Sequence, residues 1–234
     1  MKRLEMQKAP NIFDHPWIIR NLERISLFLL KWRGWTHHVE APSERKYVLI
    51  IAPHTSNWDF AIMLPVVLKY KLDVHWIGKH TLFPKPIAWF MRWLGGIPIN
   101  RSSAHNTVEQ AAEAFNRSRE LVLLLTPEGT RGKVEKWKAG FYHIAQAVDV
   151  PIQLAYLDAR TKVIGFGPLY KPSGDYDADM KEILECAKRY LTEIGLSKVT
   201  INDLENKYPF PVLMAETYVA KEKPTLLFYA HLDK

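Results

Sequence analysis

Cysteine is almost absent from this sequence. A single one, Cys186, stands among 234 residues, which excludes an intrachain disulfide framework and any multi-cysteine metal site. Long apolar runs are missing as well. No stretch approaches the ~20 apolar residues that a membrane-spanning helix requires: Ile25–Leu30 is followed at once by Lys31, Trp32 and Arg33, and Phe60–Leu68 is interrupted by Pro65. Met1–Pro10 is charged and has no apolar centre, so no secretory signal is expected. There is no His-Glu-x-x-His pattern, and His37-His38 has no obvious further ligand; no metal is expected. A Gly-x-Ser-x-Gly elbow, the mark of many serine hydrolases, is also lacking, as are internal repeats and low-complexity tracts.

What is present is an ordinary folding composition, 47% hydrophobic and 24% charged, with a basic balance of +7 and a pI near 9.3. Such a balance favours anionic partners: phosphate-bearing substrates, acidic lipid headgroups or nucleic acid. Near an anionic bilayer each Lys or Arg contributes on the order of 1 kcal/mol, so a few well-placed cations hold a protein at a membrane. A generic basic surface has the same composition.

The chain divides into residues 1–42, an N-terminal helical extension, and residues 43–234, an α/β domain. In the extension, Asp14-His15-Pro16-Trp17 is a plausible helix start, with Pro16 in the first turn. Ile18, Ile19, Leu22, Ile25, Leu29 and Leu30 then recur near helical spacing, with Arg20, Glu23, Arg24 and Lys31 between them and Trp17, Trp32 and Trp35 at the flanks. This pattern fits an amphipathic helix lying in a membrane interface, and equally one packed on its own domain. After a connector at Ala41-Pro42-Ser43-Glu44 the pattern alternates. Strands are predicted over 47–52, 74–78, 121–126, 151–156 and 162–166, and helices over 57–70, 86–94, 104–118, 137–148 and 177–194. The alternation implies a mixed, mostly parallel sheet flanked by helices.

Two strand ends carry the candidate chemistry. The run Tyr47–Ala52 enters Pro53-His54-Thr55-Ser56-Asn57-Trp58-Asp59, and ligands of α/β sheets bind at strand ends. Pro53 disfavours helix at Ala52, and Ser56 and Asn57 are good N-caps for the helix that follows. On a continuous helix His54 and Asp59 would diverge by roughly 140°. On a strand–turn–helix, His54 can fold back over Asp59, whose carboxylate would fix the imidazole tautomer and leave the other nitrogen as a base. A chain with nine histidines also produces the spacing by chance, with the ring satisfied by a cap or a backbone group. The second strand, Leu121–Thr126, delivers Pro127-Glu128-Gly129-Thr130-Arg131-Gly132, followed by Lys133, Lys136 and Lys138. Its glycines allow backbone N–H groups to approach a ligand, and Arg131 offers a planar fork to phosphate oxygens. A polar turn with a solvated arginine has the same letters. Gly95-Gly96-Ile97-Pro98-Ile99-Asn100-Arg101 reads as a bend that could bring Arg101 to the same anion. The stretch from Leu82 to Leu94 mixes aromatics with Lys85 and Arg92, which suits headgroup contact, base stacking or a plain core helix.

Taken in order, His54-Thr-Ser-Asn-Trp-Asp59, Gly96-Ile-Pro-Ile-Asn-Arg101 and Pro127-Glu-Gly-Thr-Arg131 resemble the first three blocks of the glycerolipid acyltransferase family. Val150-Pro151-Ile152 looks like the fourth, and Lys79-His80-Thr81-Leu82-Phe83 like the segment between the first two. The resemblance covers Lys46 to Tyr156. It implies that His54 deprotonates an acceptor hydroxyl, that Asp59 orients His54, and that the hydroxyl attacks the thioester of an acyl-CoA or acyl carrier protein. Arg101, Glu128, Gly129, Thr130 and Arg131 would hold the acceptor phosphate, and Val150, Pro151 and Ile152 would lie near the acyl chain. No cofactor or metal is implied. The acceptor would be a lysophospholipid such as 1-acyl-glycerol-3-phosphate, met by peripheral contact with an anionic membrane on its cytoplasmic face; no nucleic acid is expected. Pro53 stands where the family often has Asn, and Thr126 where it often has Phe, which leaves the acceptor open. A non-catalytic module binding anionic lipid or nucleic acid, and a thioesterase in which the same base activates water, are the competing readings.

Overall fold

The computed structural model describes residues 11–39, 42–51, 58–99, 104–129, 137–158, 162–193, 199–202, 212–216 and 227–231. Seven strands form one sheet: β1 (Thr36–Val39), β2 (Lys46–Ile51), β3 (Val74–Lys79), β4 (Gly96–Ile99), β5 (Leu121–Leu125), β6 (Ile152–Asp158) and β7 (Val163–Tyr170), in the order β1-β7-β6-β2-β5-β3-β4. Every pairing is parallel except that of β6 with β7. A parallel sheet must be covered on both faces, and β2, Lys-Tyr-Val-Leu-Ile-Ile, has the near-continuous apolar run that this demands. Its side chains alternate between two cores. Tyr47, Leu49 and Ile51 pack with Leu30 of α1 (Pro16–Trp32) and with Met63, Val66 and Val67 of α2 (Trp58–Lys69). Val48 and Ile50 pack against α4 (Ala104–Arg117), α5 (Gly140–Ala147) and α6 (Tyr176–Glu193).

Beyond α2, the same face of the sheet is covered by rings. Trp76 of β3 stacks on Phe83 at 5.5 Å, and its indole N–H donates to the Leu94 carbonyl. Both rings lie where a side chain at Gly78 or Gly96 would stand, within 3.0 Å, so these two glycines are needed for close approach rather than for backbone freedom. The short α3 (Ala88–Trp93) precedes β4. At the far end of the chain, β8 (Val199–Asn202), β9 (Val212–Glu216) and β10 (Leu227–His231) form a separate antiparallel sheet, with β8 against α6.

Three sequence expectations differ from what is observed. The first forty residues are not a purely helical extension: Thr36–Val39 is a strand paired with β7 in the main sheet. His37 and His38 alternate polar with partly covered positions there, and no periodic apolar run marks the strand. Gly96–Ile99, read as part of a bend, is an edge strand on β3, a position where Pro98 is tolerated because one side needs no ladder donor. Helix α5 starts at Gly140, three residues later than the predicted 137.

One buried carboxylate fastens α6. Asp179, 2% exposed, accepts from the Tyr142 and Tyr170 hydroxyls at 2.6 and 2.8 Å, from the Ser173 hydroxyl at 2.6 Å, and from the Ser173 and Gly174 N–H groups at 2.7 and 3.2 Å. Burial alone pushes the carboxyl pKa up; the bonds from Ser173, Tyr142 and Tyr170 outweigh it and hold Asp179 at about 2, below its ordinary 3.8. The same bonds and burial push the Tyr142 phenol up to about 12.

A folded-state pKa below the unfolded one means stability that is fully present above pH 3.8 and is lost as pH falls towards 2. The shift corresponds to about 2 kcal/mol. Asp179→Asn leaves buried donors facing an amide and should cost about 2–4 kcal/mol at neutral pH. Urea titrations followed by circular dichroism should show the gap between the two proteins narrowing as pH falls through that window. A gap independent of pH would show that the carboxylate charge contributes nothing.

Candidate active site

Strands β2 and β5 are neighbours in the middle of the sheet, paired in parallel with Lys46 opposite Leu121 and Ile50 opposite Leu125. Both end within one residue of each other, so the segments that follow them leave the same edge about 5 Å apart. After β2 the chain enters α2, with Asp59 in its first turn, where an acidic group complements the helix dipole. Asp59 is buried, at 5% exposure, beside Trp58, whose ring stands 73% exposed. After β5 the chain makes the turn Thr126–Gly129, closed by the Gly129 N–H on the Thr126 carbonyl at 3.0 Å. Glu128 in this turn is buried. Gly129 has φ +65, a left-handed conformation that favours glycine. Lys79 ends β3 at the same edge of the sheet.

Of the residues that the sequence singled out, the structure brings Asp59, Glu128 and Gly129 to this edge. His54, Arg101, Thr130 and Arg131 lie outside the described residues. Arg101 is two positions beyond the end of β4, a strand parallel to β3 that ends at this edge. Val150-Pro151-Ile152 is not at this edge. These residues sit at the opposite edge, where the Pro151 carbonyl accepts from the Val48 N–H and Ile152 opens β6. Val150 and Ile152 are buried in the core under α4, α5 and α6, with their side chains committed to packing.

The apolar space instead lies across the sheet. A narrow apolar crevice, with about 20 Å³ of free volume, runs between α2 and the sheet. Phe60, Met63, Leu64 and Val67 of α2 form one wall, and Leu49, Val74 and Leu124 the floor. Phe60 to Val67 spans about 10 Å of helix axis, beginning one residue after Asp59. Ile12 and Phe13 also line the crevice. They belong to a 3-10 turn capped by Asn11, whose amide also donates to Asp73 at 3.1 Å beside β3. Sequence reasoning missed the cleft because its walls are ordinary core residues drawn from six segments.

Outside the cleft, α1 exposes the stripe Leu22, Ile25, Leu29 and Trp32, with Trp17 and Phe28 beside it, while Leu30 faces inward. Trp89 and Phe90 of α3 are exposed as well, and Trp93 approaches His15 just ahead of α1 at 6.4 Å. No helix among the described residues is long and apolar enough to cross a membrane. Among the described residues no group of three His, Cys, Asp or Glu side chains could hold a metal ion.

Residues 35–156, slightly more than half of the chain, match the acyltransferase family model. The chain belongs to the acyltransferase family. It is thus an enzyme of acyl transfer, and the matched segment runs from the end of α1 through β6, spanning both strand ends. The fold is also that of a solved acyltransferase. The crystal structure of the 1-acyl-sn-glycerophosphate (LPA) acyltransferase PlsC from Thermotoga maritima superposes with a TM-score of 0.52 over 76% of this chain and 81% of that one, at 19% identity. No curated protein matches the acyltransferase sequence.

Proposed function

We propose that this acyltransferase moves a fatty acyl group from the thioester of acyl-CoA or an acyl carrier protein to the hydroxyl of a lysophospholipid, 1-acyl-glycerol-3-phosphate being the acceptor that the PlsC likeness suggests. The observation that carries the reading is the parallel pairing of β2 with β5, the strands that precede the His54–Asp59 segment and the Glu128–Gly129 turn. In this reading Asp59 accepts a hydrogen bond from one imidazole nitrogen of His54 and fixes its tautomer. The other nitrogen takes the proton as the acceptor oxygen attacks the thioester carbonyl. The carbon–sulfur bond then breaks, and the proton passes from His54 to the departing thiolate. A base of this kind contributes typically 10²–10⁴-fold. Arg131 and Arg101 supply cations for the acceptor phosphate.

The acyl chain lies along the crevice under α2, whose wall begins at Phe60, one residue after Asp59. The exposed face of α1, together with Trp89 and Phe90, rests on the bilayer from which the acceptor is drawn. Burial of that face is favourable by roughly 25 cal/mol per Å² of apolar surface, and Arg20, Arg24 and Arg33 add attraction to anionic headgroups.

His54→Ala should lower kcat by about 10²–10⁴-fold with the fold unchanged, measured as product mass from one labelled thioester and a panel of lysolipids. Unchanged turnover in a folded variant would remove the histidine from the chemistry. Arg131→Ala should raise the KM of a phosphate-bearing acceptor about tenfold; the effect should vanish with an uncharged monoacylglycerol. Leu64→Trp fills the cleft, so turnover of long-chain thioesters should fall by more than that of short-chain ones. An equal fall for both would place the chain elsewhere.

A further inference from the structure

The turn after β5 has a second wall that the motif residues do not supply. Lys138 stands nine positions beyond Gly129, just ahead of α5, and its backbone N–H donates to the Pro127 carbonyl at 2.8 Å. That bond folds the returning chain onto the turn. The lysine side chain then lies flat across Gly129. A side-chain carbon at Gly129 would meet the Lys138 ammonium at 3.0 Å, its Cδ at 3.2 Å and its Cε at 3.3 Å. The left-handed φ of +65 and the bare Cα of Gly129 are therefore both used, the first by the turn and the second by the lysine.

Lys138 is exposed and forms no ion pair among the described residues. Glu128, the residue before Gly129, is buried in the turn. The lysine lies over Gly129 with no salt bridge among the described residues to hold it there. Such a pre-positioned cation at the edge that carries Asp59 suits a dianionic ligand brought in from solvent. The compact ammonium, with three rotatable donors, serves a phosphate as a point charge.

We propose that Lys138 binds a phosphate of the substrate from across the Glu128–Gly129 turn, with Gly129 required because it leaves room for the lysine. The proposal rests on the acyl-transfer reading for its ligand. The phosphate is either the phosphomonoester of the acceptor or one of those on coenzyme A, and the two sources are separable.

The test uses the full-length protein and steady-state kinetics with two acceptors, a lysophosphatidate and a neutral monoacylglycerol, and two donors, acyl-CoA and an acyl pantetheine thioester without phosphate. Lys138→Met should raise KM about tenfold for whichever phosphate-bearing partner it contacts, leave kcat within about twofold, and spare the phosphate-free counterpart. Lys138→Arg should keep most of the wild-type affinity. Gly129→Ala, which strains the turn at φ +65 as well as crowding the lysine, should also raise KM for that partner. The proposal is overturned by an unchanged KM for both phosphate-bearing partners or by equal losses on charged and neutral partners. If the wild-type protein transfers no acyl group, the functional reading fails separately. Titration calorimetry of a lysophosphatidate and of coenzyme A against wild type and Lys138→Met then decides the proposal: about tenfold weaker binding of either one supports it, and equal binding of both overturns it.

Discussion

The whole site depends on one register. Because β2 and β5 run parallel, side by side and in step from Lys46–Leu121 to Ile50–Leu125, two segments some seventy residues apart in sequence are delivered to one edge. Parallel neighbours cannot be joined by a tight turn, so their connection has to make a long excursion through α2, β3, α3, β4 and α4. That excursion is what frees both strand ends for chemistry. A slip of one residue would exchange the two faces of β2, setting Leu49 and Ile51 against α4, α5 and α6 and Val48 and Ile50 against α2. The fitted packing of β2 on both faces therefore guards the position of Asp59 as well as the core.

The two faces of the sheet are covered to different degrees, and the difference has functional content. Under α4, α5 and α6 the packing is closed: Phe115, Tyr142, Ile144, Leu121 and Leu123 are each 1% exposed or less. On the other face α2 leaves a cleft, and α1 turns a stripe of large apolar side chains outward. A stripe at helical spacing that faces away from its own core has no internal explanation, since burying it would be favourable. An enzyme with a lipid substrate has a natural use for it, because the cleft mouth and the stripe then meet the same apolar phase.

Much of this was legible in the sequence, and the parts that were not have physical reasons. Long periodic elements such as Ala104–Arg117 and the buried runs Lys46–Ile51 and Leu121–Leu125 declare themselves by pattern, and their alternation gave away a parallel sheet. Thr36–Val39 did not, since it is a four-residue edge strand with two histidines and its partner lies more than a hundred residues away. The edge strand Gly96–Ile99 was masked by Pro98 and two glycines, which read locally as a turn. The shared edge of Asp59 and the Glu128–Gly129 turn was legible because both follow strongly patterned strands. The opposite edge taken by Val150-Pro151-Ile152 was not, because a short apolar run does not say which edge of the sheet it occupies. The cleft left no trace, as no local pattern distinguishes a core residue from one beside a void.

The cationic rim and the core are mechanically linked. Lys138 precedes α5 by two residues, and Tyr142, four residues further on, is both fully buried and tied to Asp179. Asp179 in turn holds Ser173 and Gly174 at the start of α6. The clasp thus fixes α5 on the sheet, α5 sets where the chain returns to Pro127, and that return lays the ammonium on Gly129. Surface lysines are normally poor at holding a geometry because their four-carbon stems are flexible. Here the stem lies over a glycine, and its backbone leads directly into a packed helix. A site that is only an arginine-bearing loop would be free to adjust to many anions. One braced from the core can favour a phosphate at a set distance from the acid in α2, which is what an acyl acceptor must present if its hydroxyl is to reach the base.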